Sequence, residues 1–318
     1  MTLEQIKSAV AGYVAASKQA GTWEVSNNNI AGLIDKIAKT ITIDGLFADK
    51  LPQLDGEELP LGKTIEEYYT DLAQVVDYND RADQNSPHYP TYQDNTYNYT
   101  LGRKVVQTTL KYNEYERAFN SEAEFNTIVN MVIKRLYDTY AVFKYNTKKQ
   151  ILANIIAKAT DEPEVAAKLV EVLPMPVDAT TGEAFIESVK ASVEEAQFVS
   201  EGHSLNTGAT IGAAEGLLLI VKKGVKPALE VQVQAGAFQL DKLAVPAEIV
   251  VVDDFGSAGS EFYAILMDRR MARLHPTYTA VREHMNAAGD WISYFLHTEN
   301  TAFISKNTYV KVYSSVEL

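Results

Sequence analysis

The chain has 318 residues, 46% hydrophobic and 22% charged, an ordinary globular balance with enough material for one large or two modest domains. It contains no cysteine, which excludes disulfides and thiolate metal sites and points to a reducing compartment. The net charge of −13 is unevenly placed, at +1 over residues 1–40, −9 over 41–100, +5 over 101–160, −10 over 161–260 and 0 over 261–318. No region joins a strong basic excess to interleaved aromatics, so sequence-specific DNA binding is not expected. No run of 18 apolar residues suggests a membrane span, and Lys7 and Lys18 among Ile6, Val10 and Val14 do not read as a secretion leader.

Residues 1–40 read as a helical arm. Ile6, Val10, Tyr13 and Val14 fall at helical spacing, and Asn29 is placed to cap a second helix through Ile30, Leu33, Ile34 and Ile37. Ile41–Phe47 reads as a short strand. Residues 48–118 read as a long excursion, entered through the turn signals Leu51-Pro52, Asp55-Gly56 and Leu59-Pro60. Thr64–Tyr78 suits a helix or a strand. Asn79–Asn95 has almost no aliphatic residue and carries Pro87 and Pro90, so an extended tip is expected. Tyr97–Tyr115 alternates and is β-prone, so the excursion resembles a two-stranded arm. An isolated hairpin is marginal in water and needs outside support.

Ser121, with Glu124 three residues on, opens a helix predicted over 121–158. Its apolar stripe runs from Phe125 through Leu136 and Tyr140 to Ile155 and Ile156, and Pro163 ends it. At 1.5 Å per residue it is about 57 Å long, with a candidate break at Asn146-Thr147. Two further helices are predicted, Glu164–Val172 and Glu183–Val199. Strands follow at Leu217–Val221, Leu229–Val233, Glu248–Val252 and Phe262–Met267. Residues 271–310 mix helix and strand signals, with strands at Trp291–Leu296 and Thr308–Val312.

No catalytic constellation stands out. Gly62-Lys63-Thr64 resembles the end of a phosphate-binding loop, but Gly56 stands one residue too far away and Glu57 and Glu58 would repel phosphate. The histidines His88, His203, His275, His284 and His297 lack ligand spacing, so no metal or cofactor is expected. Adjacent strand residues face opposite ways, which argues against Asp253-Asp254 as a shared-proton pair. Tyr89, Tyr92, Tyr97 and Tyr99 cluster in an arm with little core to bury them, which favours an interface. The charge blocks suit self-association, with Asp80, Asp83 and Asp94 of one copy facing Lys134, Arg135, Lys144, Lys148 and Lys149 on the helix of another. Ordinary solvated faces would give the same pattern.

In layout the chain resembles the major capsid proteins of tailed phages, the Hong Kong 97-type fold. The likeness is carried by Gly62–Glu66 entering the excursion, Glu116–Ser121 leading into the long helix, Glu261–Arg270, and Asn300–Ile304 before a final strand. It covers nearly the whole chain and rests on diffuse pattern. It implies an α+β fold with an N-terminal arm (1–47), an extension loop (48–118), a peripheral domain with a spine helix (119–162 and 261–318) and an axial domain (163–260). It also implies pentamers and hexamers closing an icosahedral shell around double-stranded DNA, assembled in the host bacterial cytoplasm, with a portal and a separate scaffolding protein as partners. No membrane, cofactor or catalysis is implied. A lysine for covalent cross-linking is missing from 79–96. An encapsulin-like compartment shell and a cytosolic nucleotide-dependent enzyme are the rival readings.

Overall fold

A five-stranded mixed sheet forms the core, and four of its strands show their two-residue period by feeding two different apolar clusters. The fold is taken from a computed structural model that describes residues 49–60, 64–70, 72–73, 75, 89, 92–97, 100–111, 122–206, 210–211, 214, 216–226, 247–286 and 291–317. The expected arm at 1–40, the strands at 41–47 and 229–233, the cap at Ser121 and most of the tip at 79–91 lie outside these residues.

The elements run in chain order as β1 (Ile65–Thr70), β2 (Tyr92–Tyr97), β3 (Thr100–Lys111), α1 (Glu122–Thr160), α2 (Pro163–Leu169) and β4 (Val170–Val172). Then come α3 (Ala179–Glu195), β5 (Ser200–Glu201), β6 (Thr210–Ile211), β7 (Leu217–Lys222) and β8 (Glu248–Val252). The last are β9 (Phe262–Asp268), β10 (Ala272–Asn286), β11 (Trp291–Ile304) and β12 (Val310–Ser314).

The core sheet has the order β4-β12-β9-β7-β8. The outer pairs β12–β4 and β7–β8 are parallel, and β9 is antiparallel to both of its neighbours. Side chains alternate across the sheet. Leu218 and Ile220 of β7, Ile265 and Met267 of β9, and Val310 and Val312 of β12 pack against α1 through Ile151, Leu152, Ile155 and Ile156. Leu219 and Val221, Ala264 and Leu266, and Tyr313 point the other way and pack against Phe185, Ile186, Val189 and Val193 of α3. All seven residues of β9 are buried, as a strand covered by helices on both faces requires. The sheet draws strands from both sides of residue 260, so the expected division at that point cuts through one sheet.

A second sheet has the order β10-β11-β3 and is wholly antiparallel. Arg103 of β3 holds it across, 3.3 Å from Glu299 of β11 and 4.7 Å above the Tyr278 ring of β10. Among the described residues the mixed signals over 271–310 therefore hold strands and no helix, with β10 and β11 paired over 15 and 14 residues. Tyr97–Tyr115 is also corrected. Its main strand joins β11 in this sheet, and β2 is what pairs with β1. Tyr92 to Asn95, expected in the loose tip, form most of β2.

Helix α1 runs 39 residues without the break considered at Asn146-Thr147. Thr147 Oγ1 donates back to the Phe143 carbonyl at 2.9 Å, a bond that leaves the helix intact. At its end Thr160 Oγ1 donates back to the carbonyls of Ile156 and Ala157. Pro163 then starts α2 at a position where a missing N–H costs nothing. The expected second helix is shorter than predicted, and the third keeps its length but starts and ends four residues earlier. Val170–Val172 is strand, and α3 begins at an Asp178–Thr181 capping box.

Candidate functional site

The candidate site is a pair of surfaces, the β1–β2 ribbon and the basic face of α1. In the ribbon Glu66, Tyr68 and Thr70 alternate with Ile65, Glu67 and Tyr69, and only the first set is exposed. Opposite them in register stand Thr96, Asp94 and Tyr92, also exposed. The outer face thus carries two tyrosines, 69% and 74% exposed, among two carboxylates. The Tyr68 hydroxyl donates to Glu66 Oε2 at 2.6 Å. That bond and the charges of Glu66 and Asp94 hold its phenol above the usual range.

The inner face rests on the chain's own body. The Tyr97 ring meets Phe303 edge-on at 4.9 Å, and its hydroxyl donates to Glu67 Oε2 at 2.6 Å. Burial, then Glu67, pushes the Tyr97 phenol far up. Glu67 also accepts from Ser305 Oγ, and Gln93 accepts from Asn206 Nδ2 at 2.9 Å. Tyr97 therefore has its ring and hydroxyl partners within its own chain. Tyr92 and Asp94 are exposed in the ribbon and Tyr89 is 86% exposed, while Asp80, Asp83 and Tyr99 lie outside the described residues.

The basic face of α1 is corrected more strongly. Lys148 has no exposed surface, and its ammonium donates to the Leu51 carbonyl at 2.8 Å, lies 2.8 Å from Asp55 Oδ1 and pairs with Asp49. Lys144 lies 3.1 Å from Asp55. Lys149 bridges Asp253 at 3.0 Å and Asp254 at 3.1 Å, 5.3 Å from the Tyr145 ring centre. Acid does meet the basic helix, but here it comes from the same chain. Among the five cations Lys134 is half-buried and Arg135 exposed, and these two leave charge outward.

For Lys144 and Lys148 the acid comes from residues 49–59, a strap clamped between α1 and β10. Leu51 and Leu54 are buried under it. The Gly56 amide donates to the Leu274 carbonyl at 2.9 Å and the Leu59 amide to the Pro276 carbonyl at 2.9 Å. Arg273 donates to the Gln53 carbonyl. The strap carries the root of the ribbon, so it fixes where the ribbon leaves the body.

At Asp253, burial alone would raise the carboxyl. The Tyr145 hydroxyl at 2.6 Å and the Lys149 ammonium outweigh it and hold the group at about 2. A carboxylate bridged in this way to its neighbour by a lysine does not share a proton with it. Among the described residues no group of three or more histidines and carboxylates could hold a metal. His203 sits 3.0 Å from Glu195 and stacks on Tyr309, and His275 Nδ1 lies 2.9 Å from the Glu57 carbonyl. Gly62 and Lys63 lie outside the described residues.

Sequence reasoning missed Tyr68 and Glu66. Reading Thr64–Tyr78 as strand would have put both outward by alternation. It missed the strap as well, and nothing in the spacing of Asp49 and Asp55 points to a lysine nearly a hundred residues away.

The chain is 23% identical over 298 residues to the major capsid protein of Bacillus phage PZA, covering 89% of this chain and 62% of that protein. It is 22% identical over 281 residues to the major capsid protein of Bacillus phage GA-1, covering 86% and 57%. It thus spans about three fifths of the length of the relatives it matches. Its fold is similar to the capsid structure of Staphylococcus phage Andhra, with a TM-score of 0.66, 12% identity and 85% of each chain covered. It is also similar to the mature capsid of bacteriophage PhiM1, with a TM-score of 0.56, 8% identity and 86% and 89% covered. The α+β Hong Kong 97-type fold expected from the sequence is borne out. The model of the Phi29-like phage major capsid proteins matches residues 7–310, and the chain belongs to that family.

Proposed function

We propose that the chain is a major capsid protein that joins copies of itself, as pentamers and hexamers, into an icosahedral phage head around double-stranded DNA. Family membership supports this reading. The observation that carries it is the outer face of the ribbon, where Tyr68 and Tyr92 stand 69% and 74% exposed beside Glu66 and Asp94. A two-stranded ribbon offers an aromatic, acidic face of the kind enriched at interfaces, and many modest contacts repeated over a closed symmetric shell hold it together.

In this reading α1 with the β10-β11-β3 sheet forms a peripheral part, and the segment around α3 faces the symmetry axes. DNA is enclosed without base reading. A portal and a separate scaffolding protein are the further partners, and the head is built in the host cytoplasm. The expressed chain, examined by negative-stain microscopy alongside a hydrodynamic size measurement, is expected to form closed shells once a scaffold is supplied. A chain that stays monomeric under all such conditions overturns the reading.

A further inference from the structure

A groove of about 780 Å³ runs between the ribbon and the spine helix. One wall is a single face of α1, from Thr147 through Ile151 and Asn154 to Lys158, about 17 Å along the axis. The other wall is four consecutive residues of β2, Asp94 to Tyr97. Successive side chains of a strand point to opposite faces. Four in a row therefore line a groove only where the strand turns its edge, with its backbone donors and acceptors, toward it. Among the described residues β1 is the one strand paired with β2, so the other edge of β2 has no strand partner. Leu101, Ala302 and Ile304 add an apolar lining.

Lys158 and Lys306 also line this groove, against Asp94 as its one carboxylate. Burial, then the charge of Lys306, holds the Lys158 ammonium below its usual range. Neither ammonium group has a carboxylate partner among the described residues. An unpaired strand edge, an apolar lining and two uncompensated cations together describe a receptor for an extended segment bearing acid.

We propose that this groove receives an extended acidic stretch from a second copy of the chain, which adds a strand to the free edge of β2 and sets its carboxylates on Lys158 and Lys306. About five extended residues match the 17 Å wall. The excess of 42 acidic over 29 basic residues means that copies bring acid to the contact. The proposal rests on the reading that the chain self-associates.

The test places the photo-cross-linker benzoylphenylalanine at the exposed position Asn154 of the full chain. Isotopically heavy and light chains are mixed under assembly conditions, and joined peptides are identified by mass spectrometry. The expected product links heavy to light chains through a peptide carrying at least one carboxylate. The pair Lys158→Glu and Lys306→Glu is expected to lower its yield about tenfold, while Lys158→Arg and Lys306→Arg retain it. Circular dichroism checks that each variant folds, and the identity of the joined peptide needs no charge variant. Particles that form without a heavy–light product overturn the inference and leave the assembly reading standing. A joined peptide without acid, a joined foreign protein or nucleic acid, or a yield unmoved by charge reversal also overturns it. A chain that forms no particles overturns both, and microscopy records that outcome separately.

Discussion

Lys148 Nζ lies 2.8 Å from Asp55 Oδ1, and the lysine has no exposed surface. This contact ties the strap that carries the ribbon to the middle of the spine helix. Removing the lysine leaves two carboxylates and the Leu51 carbonyl facing an apolar space. Asp55 is partly hydrated at 39% side-chain exposure, which moderates the loss. Lys148→Ala is expected to destabilise the unassembled subunit by about 3 kcal/mol, measured by urea unfolding. Lys148→Met keeps the packing and is expected to lose less.

Gly56 and His275 form a second clasp of the strap. A Cβ placed on Gly56 would stand 2.4 Å from His275 Nδ1. Gly56→Ala is expected to cost about 1–3 kcal/mol by overpacking. In His275→Ala the same substitution is expected to cost less, and a double-mutant cycle in denaturant gives the coupling. Additive losses would show that the two residues do not press on each other.

Asp253 sets an acid limit. Its folded carboxyl titrates at about 2, below the ordinary value of about 3.9. The group therefore contributes stability that is fully present above about pH 4 and is lost as pH falls toward 2. Lys149→Met removes one of the groups that depress it. Carboxyl carbon resonances followed by NMR are expected to show the Asp253 midpoint rising in that variant, and its acid unfolding is expected to begin at higher pH.

Tyr68 and Tyr92 separate assembly from folding. Both stand on the exposed ribbon face, so Tyr68→Ala with Tyr92→Ala is expected to change subunit stability by no more than about 0.5 kcal/mol per site. The same variant is expected to yield few closed particles by electron microscopy. Loss of folding in parallel with loss of particles would return these tyrosines to a role within the subunit.

The parts legible in the sequence are those whose pattern is local. Residues 248–252 form the strand their valines predict, and Phe262–Met267 falls within β9. The long helix follows from its apolar spacing and spans 122–160. Lys148 and Lys149 were misread because one apolar stripe implies one buried face. Between residues 148 and 159 the helix is instead covered by the sheet, by the strap and by the Asp253–Phe255 turn. The β10–β11 hairpin was obscured by polar residues such as His275, Arg282 and His297, which alternate on a sheet with one wet face. The place of β3 beside β11 depends on pairings such as Thr109 with Ser293, which no local spacing encodes. At Tyr97, an acidic tyrosine-rich stretch reads as exposed, and only the placement of Phe303 buries the ring.

The pairing of β12 with both β4 and β9 has a consequence for biosynthesis. While residues 310–314 are still inside the ribosome, the gap between β4 and β9 stays open, and both strands present bare edges. A nascent chain cannot close its hydrophobic interior piecemeal; it must wait for this one short strand to emerge and fill the gap. Polypeptides that stall before residue 310 would carry exposed, sticky edges. They would be steered toward chaperones or proteolysis before they could meet a finished copy.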